Sequence, residues 1–286
     1  MIAYDPKIWF KFIFKFHKSD SFKALIPALI ALILLTTFLV FIEVRYFKMQ
    51  VKNISFFHQV IGFVLSMLLV FRINTAYDRW WEGRKAWGEL LNVSRTLSCL
   101  LDVSLNENAN SYRNFYNEKL SGFAFHLKNH LRESALKQED QQSSAIIPQP
   151  LFVTMELYNK TNELFKQNLI TSEQYLLINN QINRLNEITG ACERIKSTPI
   201  PYSYSLYLKR IIFIYVITMP FIFAIDFKYW AVLFVTLIFY TFASLELLSE
   251  EIEDPFGTDA NDLPIDEISE KIKHDIQAVL LKSSLN

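Results

Sequence analysis

The feature that most constrains the fold is a set of four long apolar runs. Residues 24–42 contain nineteen amino acids without a charged side chain, enough for a helix that crosses ~30 Å of hydrocarbon at ~1.5 Å per residue. Three further uncharged runs cover residues 55–71, 211–225 and 229–245. Only the short sequence DFK (226–228) separates the last two runs, which predicts a tight helical hairpin. We therefore expect a membrane protein with four transmembrane helices.

Composition indicates that a large part of the chain lies outside the membrane. Of the 286 residues, 51% are hydrophobic and 20% are charged, and the mean hydropathy is +0.16. This composition is too apolar for an ordinary soluble domain and too polar for a protein built only of membrane spans. The formal net charge is zero, which argues against a nucleic-acid partner. Cys99 and Cys192 lack C-x-x-C spacing, and no catalytic signature accompanies them, so an enzyme is the least favoured class.

Charged residues beside the first run predict its orientation. Lysines alternate with aromatic residues in IWFKFIFKFHK (8–18), which indicates an amphipathic interfacial helix rather than a signal peptide. This basic flank places the N-terminus in the cytoplasm, and four spans return the C-terminus to the same side. The expected division is 1–81 for the interfacial helix and the first two spans, 82–204 for a cytoplasmic helical region, 205–249 for spans three and four, and 250–286 for an acidic turn and a C-terminal helix.

The cytoplasmic segments carry a helical pattern. Apolar residues recur at helical spacing over 112–137, 156–170, 172–195 and 266–281, whereas 137–150 is a polar, proline-ended loop. No alternation typical of a β-strand persists anywhere in the sequence. The predicted fold class is therefore all-α.

The second apolar run continues without a break into FRINTAYDRWWEGRKAW (71–87). It contains no proline, and its glycine comes late, so one helix is predicted from Ser55 to about Leu101, ~70 Å long at ~1.5 Å per residue. Part of this helix must leave the membrane. We interpret its polar residues as a structural cluster of paired charges packed against neighbouring helices, or as interfacial anchors, in preference to direct ion binding. The cluster comprises Arg72, Asn74, Asp78, Arg79 and Glu82.

Three long motifs resemble blocks of the bestrophin family, in its bacterial homologues. They are FRINTAYDRWWEGRKAWGELLNVSR (71–95), ACERIKSTPIP (191–201) and EDPFGTDANDLPID (253–266), and they stand in the expected order. The resemblance covers essentially the whole chain. It implies a pentameric ion channel in a bacterial inner membrane, in which each subunit contributes its second span to a central pore that continues through a cytoplasmic vestibule.

The resemblance also implies a narrow apolar neck in that pore. Phe63, Met67 and Phe71 stand at i, i+4 and i+8, one nearly straight stripe along the second span. Taken alone, such a stripe is typical of ordinary membrane helix packing. Placed around a pore axis, the same side chains would exclude stable water and gate by dewetting. The competing stripe consists of Val60, Val64 and Leu68.

A second constriction at the cytoplasmic exit is implied near Ile170 and Glu173. If Glu173 faces the axis, the exit carries an acidic ring, which would favour cations. The alternative is that this segment only begins a helix, with Ser172 as its cap.

The acidic block after the fourth span is a candidate calcium site, because carboxylate oxygens are the ligands that Ca²⁺ prefers. Animal bestrophins carry a calcium clasp in this region. The alternative is a solvated acidic turn whose negative charges interact favourably with the positive N-terminal end of the helix over 266–281. The candidate ligands are Glu251, Asp254, Asp259 and Asp262.

The leading expectation is a channel for small monovalent ions, chloride and other anions first, because the family contains chiefly anion channels. A sodium-type channel for monovalent cations is the close alternative, since an apolar neck selects by size and dehydration more than by charge. A membrane-anchored scaffold or sensor without conduction is the alternative from another class. The expected partners are further copies of the chain, the lipid bilayer and the permeant ions.

Overall fold

The computed structural model describes residues 20–47, 54–106, 109–133 and 147–281. These residues form eight α-helices and no strand, which confirms the all-α prediction. A π-helical turn, Glu43–Phe47, follows the first helix. The interfacial helix expected over 8–18 and most of the loop expected over 137–150 lie outside the described residues. The helices are α1 Asp20–Ile42, α2 Ile54–Ser104, α3 Asn110–Glu133, α4 Gln149–Lys166, α5 Ser172–Ser197, α6 Tyr202–Phe227, α7 Trp230–Glu253 and α8 Ile265–Leu280.

Four of the described helices are long and apolar enough to cross a membrane: α1, α2, α6 and α7. They correspond to the four apolar runs, so the prediction of four spans is confirmed. The chain divides into two compact units. We call the described residues within 20–79 and 199–253 the membrane unit, and those within 80–198 and 254–281 the polar unit. Helix α2 has 51 residues and contributes to both.

Within the membrane unit, α2 buries one narrow stripe of side chains. The buried positions recur every three or four residues. This spacing is that of one face of an α-helix. The stripe packs against Leu208, Ile212 and Met219 of α6 and Val235 of α7. All other faces of this part of α2 are exposed or half-buried in the subunit. The stripe consists of His58, Gly62, Leu65, Leu69, Arg72 and Ala76.

A close approach between α2 and α6 depends on Gly62. A Cβ atom added at this position would lie 2.3 Å from the hydroxyl of Tyr215, so a larger residue here would force the Tyr215 ring to shift. One turn earlier, the His58 ring stacks on the Tyr215 ring with centroids 4.0 Å apart. Its Nε2 atom lies 3.2 Å from the carbonyl oxygen of Tyr215. These contacts fix the rotation of α2 about its own axis relative to α6.

The predicted hairpin between the last two spans is confirmed. Helix α6 ends at Phe227 and α7 begins at Trp230. Lys228 adopts a left-handed backbone conformation, with φ of 49°, and its N–H donates to the carbonyl of Ala224 at 3.0 Å. This conformation terminates α6 and reverses the chain within two residues.

The polar unit has its own hydrophobic core. Side chains from α2 meet side chains from α3, α4, α5 and α8 in one continuous cluster. Trp87 is fully buried in it, whereas Trp81, on the same helix, is 47% exposed. Other members include Leu90, Leu97, Leu101, Phe123, Leu127, Leu157, Leu164, Ile178, Ile182, Leu185, Phe256, Ile272 and Ile276.

The start of α5 differs by one residue from the prediction. Thr171, not Ser172, is the N-cap: its hydroxyl accepts from the backbone N–H of Gln174, and the Gln174 side chain accepts from the Thr171 N–H at 2.9 Å. The assignment of Ser172 was wrong because Thr171 has the partner that a capping box needs, a glutamine three residues later. Ser172 is the first residue of the helix.

Replacing Trp87 by alanine tests the core of the polar unit. We expect Trp87→Ala to lower the free energy of unfolding by about 3–5 kcal/mol, because it leaves a cavity in a fully packed cluster. The matched control is Trp81→Ala, which removes an exposed side chain and should change the free energy of unfolding by less than about 1 kcal/mol. Denaturant unfolding of the purified protein in detergent measures both. Equal effects of the two substitutions would contradict the burial of Trp87.

Candidate functional site

The stripe predicted to form the neck lies on the exposed side of α2. Phe63, Met67 and Phe71 are 72%, 51% and 53% exposed in the subunit. At ~100° per residue, they lie on the face opposite the buried stripe. The subunit thus turns three bulky apolar side chains away from its own core. Such a face contacts lipid or another protein chain, since a single helix cannot enclose a pore.

The competing stripe lies nearer the core of the subunit. Val60 and Val64 are 45% and 49% exposed, but Leu68 is half-buried and packs against the cluster formed with α6 and α7. Residues four positions apart on an α-helix are offset by ~40° around its axis, so Val60, Val64 and Leu68 lie progressively closer to the buried stripe. Phe63, Met67 and Phe71 therefore form the stripe that stays clear of the subunit's core throughout. Their role as a neck stays a prediction.

Arg72, the residue after Phe71, is buried beside two carboxylates. Its side chain is 1% exposed, and its Nη2 atom lies 2.7 Å from Oε2 of Glu253. Its Nε atom lies 3.8 Å from Oε2 of Glu246, which is also buried. Glu246 and Glu253 are seven residues apart on α7, so both face α2 from the same side of that helix. A guanidinium suits this position because it can address two carboxylates at once.

Glu253 joins three segments of the membrane unit. One carboxylate oxygen binds Arg72, and the other accepts the backbone N–H of Ile200 at 2.6 Å, just before α6. The backbone carbonyl of Glu253 accepts from Nε of Arg79 at 3.1 Å. This single residue at the end of α7 therefore ties together α2, α7 and the segment that leads into α6.

The structure separates the five residues expected to form one charge cluster. Arg72 is buried and paired, and Arg79 is half-buried. Asn74 and Asp78 are exposed, on the same side of α2 as Met67. Glu82 belongs to the polar unit, where its carboxylate lies 2.7 Å from Arg194. Burial against neighbouring helices thus applies to Arg72 but not to Asn74 or Asp78, because the helix turns those two away from the core.

The partners of Arg72 were the main functional residues that sequence reasoning missed. Glu246 ends the fourth apolar run, and Glu253 follows two turns later. An acidic residue at the end of a membrane span, with a second one seven positions on, indicates a buried basic partner. Nothing in the sequence specified which of several arginines on α2 that partner would be.

At the expected exit constriction, the structure distinguishes the two candidates. Ile170 is buried in the core of the polar unit, so its side chain faces the subunit's own interior. Glu173 is exposed in the first turn of α5. Hydrogen bonds from its own backbone N–H and from Thr171 lower the pKa of this carboxyl, which therefore stays ionised at neutral pH. Of the two, Glu173 is the side chain that remains available to line an exit.

The acidic block is a folded turn in which some of the candidate ligands have protein partners, although Oδ1 of Asp262 is buried without a hydrogen bond in the described structure. Asp254 forms an ion pair with Lys196 at 2.6 Å, and Oδ2 of the buried Asp262 accepts the Asp259 N–H at 2.6 Å. Glu251 belongs to the membrane unit. Among the described residues, no three His, Cys, Asp or Glu side chains are arranged to hold a metal ion. Calcium binding by this block stays a prediction.

Other contacts anchor the same turn to the polar unit. Nε1 of Trp80 donates to the carbonyl of Asn261 at 3.0 Å, and Nη2 of Arg132 donates to the carbonyl of Gly257 at 3.2 Å. A Cβ at Gly257 would lie 2.6 Å from Oδ2 of Asp262, so a larger residue there would displace the Asp262 carboxylate. Asp266, which follows the turn, binds both Arg132 and Lys128.

Two carboxyl groups near this turn have shifted pKa values of opposite sign. Burial raises the pKa of Asp262 to about 6, against the opposing effect of the Asp259 N–H. Hydrogen bonds from Arg132 and Lys128 lower the pKa of Asp266 to about 2. A raised pKa means that the folded protein binds the proton of Asp262 more tightly than the unfolded chain does. The stabilisation from this proton is therefore complete below the unfolded pKa of ~3.9, and it is lost as the pH rises through about 6.

Stability of the polar unit should accordingly depend on pH through Asp262. Between pH 4 and pH 8 we expect the free energy of unfolding to fall, and we expect Asp262→Asn to remove this decline while keeping an oxygen for the Asp259 N–H. Asp266→Asn is the control, because its lowered pKa affects stability only below about pH 4. Denaturant unfolding at a series of pH values measures the effect. A decline that persists unchanged in Asp262→Asn would contradict the assignment.

The buried ion pairs of Arg72 yield a second test. Arg72→Met leaves the buried Glu246 and the half-buried Glu253 without their counter-charge, so we expect a loss of about 3–5 kcal/mol in the free energy of unfolding. Neutralising both acids as well, by Glu246→Gln and Glu253→Gln, should recover part of that loss. Arg194→Met breaks the exposed pair with Glu82 and should cost less than about 1 kcal/mol. Thermal unfolding in detergent compares the variants, and equal losses from the two arginine substitutions would contradict the burial of Arg72.

Comparisons with known proteins agree with this fold. Residues 1–278 match the family described as bacterial/fungal bestrophin protein. The chain is 32% identical over 285 residues to the voltage-dependent anion channel-forming protein YneE of Escherichia coli, covering 96% of this chain and 93% of that protein. It is 36% identical over 233 residues to the voltage-dependent anion channel-forming protein sll1024 of Synechocystis, covering 76% and 75%.

A solved structure has the same fold. The crystal structure of a bacterial bestrophin homologue from Klebsiella pneumoniae superimposes with a TM-score of 0.80 at 26% sequence identity, covering 90% of this chain and 98% of that one. These matches confirm the resemblance deduced from the three motifs. The relatives are named for channel formation, not for an enzymatic activity, in agreement with the expectation from the sequence.

Proposed function

The chain belongs to the bacterial and fungal bestrophin family, and from that premise we propose that it is a subunit of a homopentameric ion channel. The channel resides in a bacterial inner membrane, with both termini in the cytoplasm. It conducts small monovalent ions, chloride and other anions foremost. The observation that carries the proposal is the exposed apolar face formed by Phe63, Met67 and Phe71.

Five copies of that face around a common axis would form a hydrophobic throat. The three side chains of each subunit would belong to three successive rings about 6 Å apart, since residues four positions apart rise by ~6 Å along a helix. A ring of apolar side chains does not replace the hydration shell of an ion, so passage favours ions that dehydrate easily. Monovalent ions meet this condition better than divalent ions, whose hydration is stronger.

The fixed rotation of α2 supports this arrangement. The buried stripe and the Arg72 ion pairs hold one side of the helix against α6 and α7. The opposite side therefore points outward from each subunit in a defined direction. A pore wall needs this rigidity, because a throat of a few ångströms changes its conductance with small rotations of the side chains that form it.

Anion conduction is supported by the relatives, which are named voltage-dependent anion channel-forming proteins. A channel of the same architecture for monovalent cations is the second candidate. The ionised Glu173 favours it, because this side chain is exposed while its neighbour Ile170 is buried. A ring of carboxylates at the exit would raise the local concentration of cations.

Shortening the neck side chains tests the proposed function. The triple variant Phe63→Ala, Met67→Ala, Phe71→Ala should raise the single-channel conductance or the open probability in planar lipid bilayers, because smaller side chains widen and wet the throat. The matched control replaces Val60, Val64 and Leu68 by alanine and should leave the currents close to those of the wild type.

Two results would contradict the proposal. Unchanged currents in the triple variant, with altered currents in the control, would assign the throat to the other stripe. Wild-type protein that reconstitutes into bilayers in folded form but carries no current would favour the membrane-anchored scaffold or sensor. The mass of the purified complex, measured by light scattering with correction for detergent, gives the number of subunits independently of conduction.

A further inference from the structure

We propose that Asp78 limits the anion preference of the assembled channel, as a ring of carboxylates on the cytoplasmic side of the neck that raises the local concentration of cations. This inference rests on the proposed function, because the ring exists only if copies of α2 surround a shared axis. Asp78 was expected to belong to a buried cluster, and its exposed position assigns it a different role.

The position of Asp78 on α2 is set by helical geometry. Asp78 follows Met67 by eleven residues, which is close to three full turns, so the two side chains lie within ~20° of each other around the helix axis. Asp78 lies two turns, or ~10 Å, beyond Phe71. Asn74 lies on the same face between them. The side of α2 that presents the apolar stripe therefore presents a neutral amide and then a carboxylate, all within the membrane unit.

Asp78 is the acidic residue of α2 that has no side-chain partner among the described residues. Helix α2, which the structure describes completely, contains four acids. Glu82 pairs with Arg194, Glu89 pairs with Arg184 at 2.5 Å, and Asp102 pairs with Arg113. For Asp78, the described part of the chain supplies neither an ion pair nor a hydrogen bond to the side chain.

Two of the basic groups near Asp78 on α2 are engaged elsewhere. Arg72 is buried against Glu246 and Glu253, and Arg79 donates to the backbone carbonyl of Glu253. Both arginines thus bind groups of α7, away from the face that carries Asp78. The exposed Arg84 and Lys85 follow Asp78 by six and seven residues, ~9–10 Å along α2 on the side away from Phe71, so the carboxylate is the exposed charge nearer to the neck.

Charge next to a narrow apolar throat changes which ions arrive there. An apolar neck discriminates poorly by sign, so the population of ions at its mouth decides the ratio of anion to cation flux. The potential of a carboxylate extends over a Debye length, ~8 Å at physiological ionic strength and ~3 Å at 1 M salt. Five such groups around one opening would enrich cations at physiological salt and much less at high salt.

Reversal potentials under a salt gradient test this inference. Asp78→Asn should raise the ratio of chloride to sodium permeability several-fold in planar bilayers, and Asp78→Glu should keep the ratio near that of the wild type. The difference between wild type and Asp78→Asn should shrink in 1 M salt, where screening is strong. Glu82→Gln is the matched control: it removes the same charge one turn along the helix, from a carboxylate that is already paired.

A cysteine variant keeps the test decisive if Asp78→Asn assembles poorly. Asp78→Cys is made with Cys99→Ser, because Cys99 is exposed and Cys192 is buried. After assembly and reconstitution, a sulfonate-bearing thiol reagent restores a negative charge and a trimethylammonium-bearing reagent introduces a positive one. The two reagents should move the reversal potential in opposite directions.

Each outcome either supports or overturns the inference. Wild-type and Asp78→Asn channels with equal reversal potentials, together with no response of the cysteine variant, would overturn the role of Asp78 and leave the proposed function standing. Fewer pentamers of Asp78→Asn, with an unchanged reversal potential in those that still form, would assign Asp78 to a contact between subunits instead. Absence of current in the wild type would refute the proposed function itself.

Discussion

The burial of Arg72 beside Glu246 and Glu253 constrains the rest of the membrane unit, because a buried guanidinium without its carboxylates would strongly destabilise the fold. The ion pairs and the neighbouring stripe of small and apolar side chains determine which side of α2 faces α6 and α7. Once that side is fixed, helical geometry turns Phe63, Met67, Phe71 and Asp78 away from the subunit. The same interaction that stabilises the fold thus directs the proposed pore face outward.

Helix α2 contributes to both hydrophobic cores because its buried positions keep the same spacing along its length. In the membrane unit the stripe runs from His58 to Ala76, and in the polar unit buried positions recur every three or four residues from Gly83 to Leu101. A continuous pattern of this kind, without proline, is compatible with one helix of 51 residues that contributes to both cores.

Much of the fold could be predicted because length and periodicity are local properties. Uncharged runs of span length, the missing helix breaker after Phe71 and the short DFK connection were sufficient for the four spans, the long α2 and the hairpin. Pairing between distant segments was not accessible in this way. Glu246 and Glu253 could be recognised as unusual, but only the three-dimensional packing selects Arg72 as their partner. The burial of Ile170 and the exposure of Asp78 likewise depend on which side of a helix meets the core.

A reconstruction of the purified complex in lipid nanodiscs by electron cryo-microscopy tests the central claim most directly. The account predicts a ring of five subunits in which Phe63, Met67 and Phe71 of every copy are the side chains closest to the symmetry axis. A monomer would contradict it. So would an oligomer in which this face of α2 contacts lipid and another helix lines the axis.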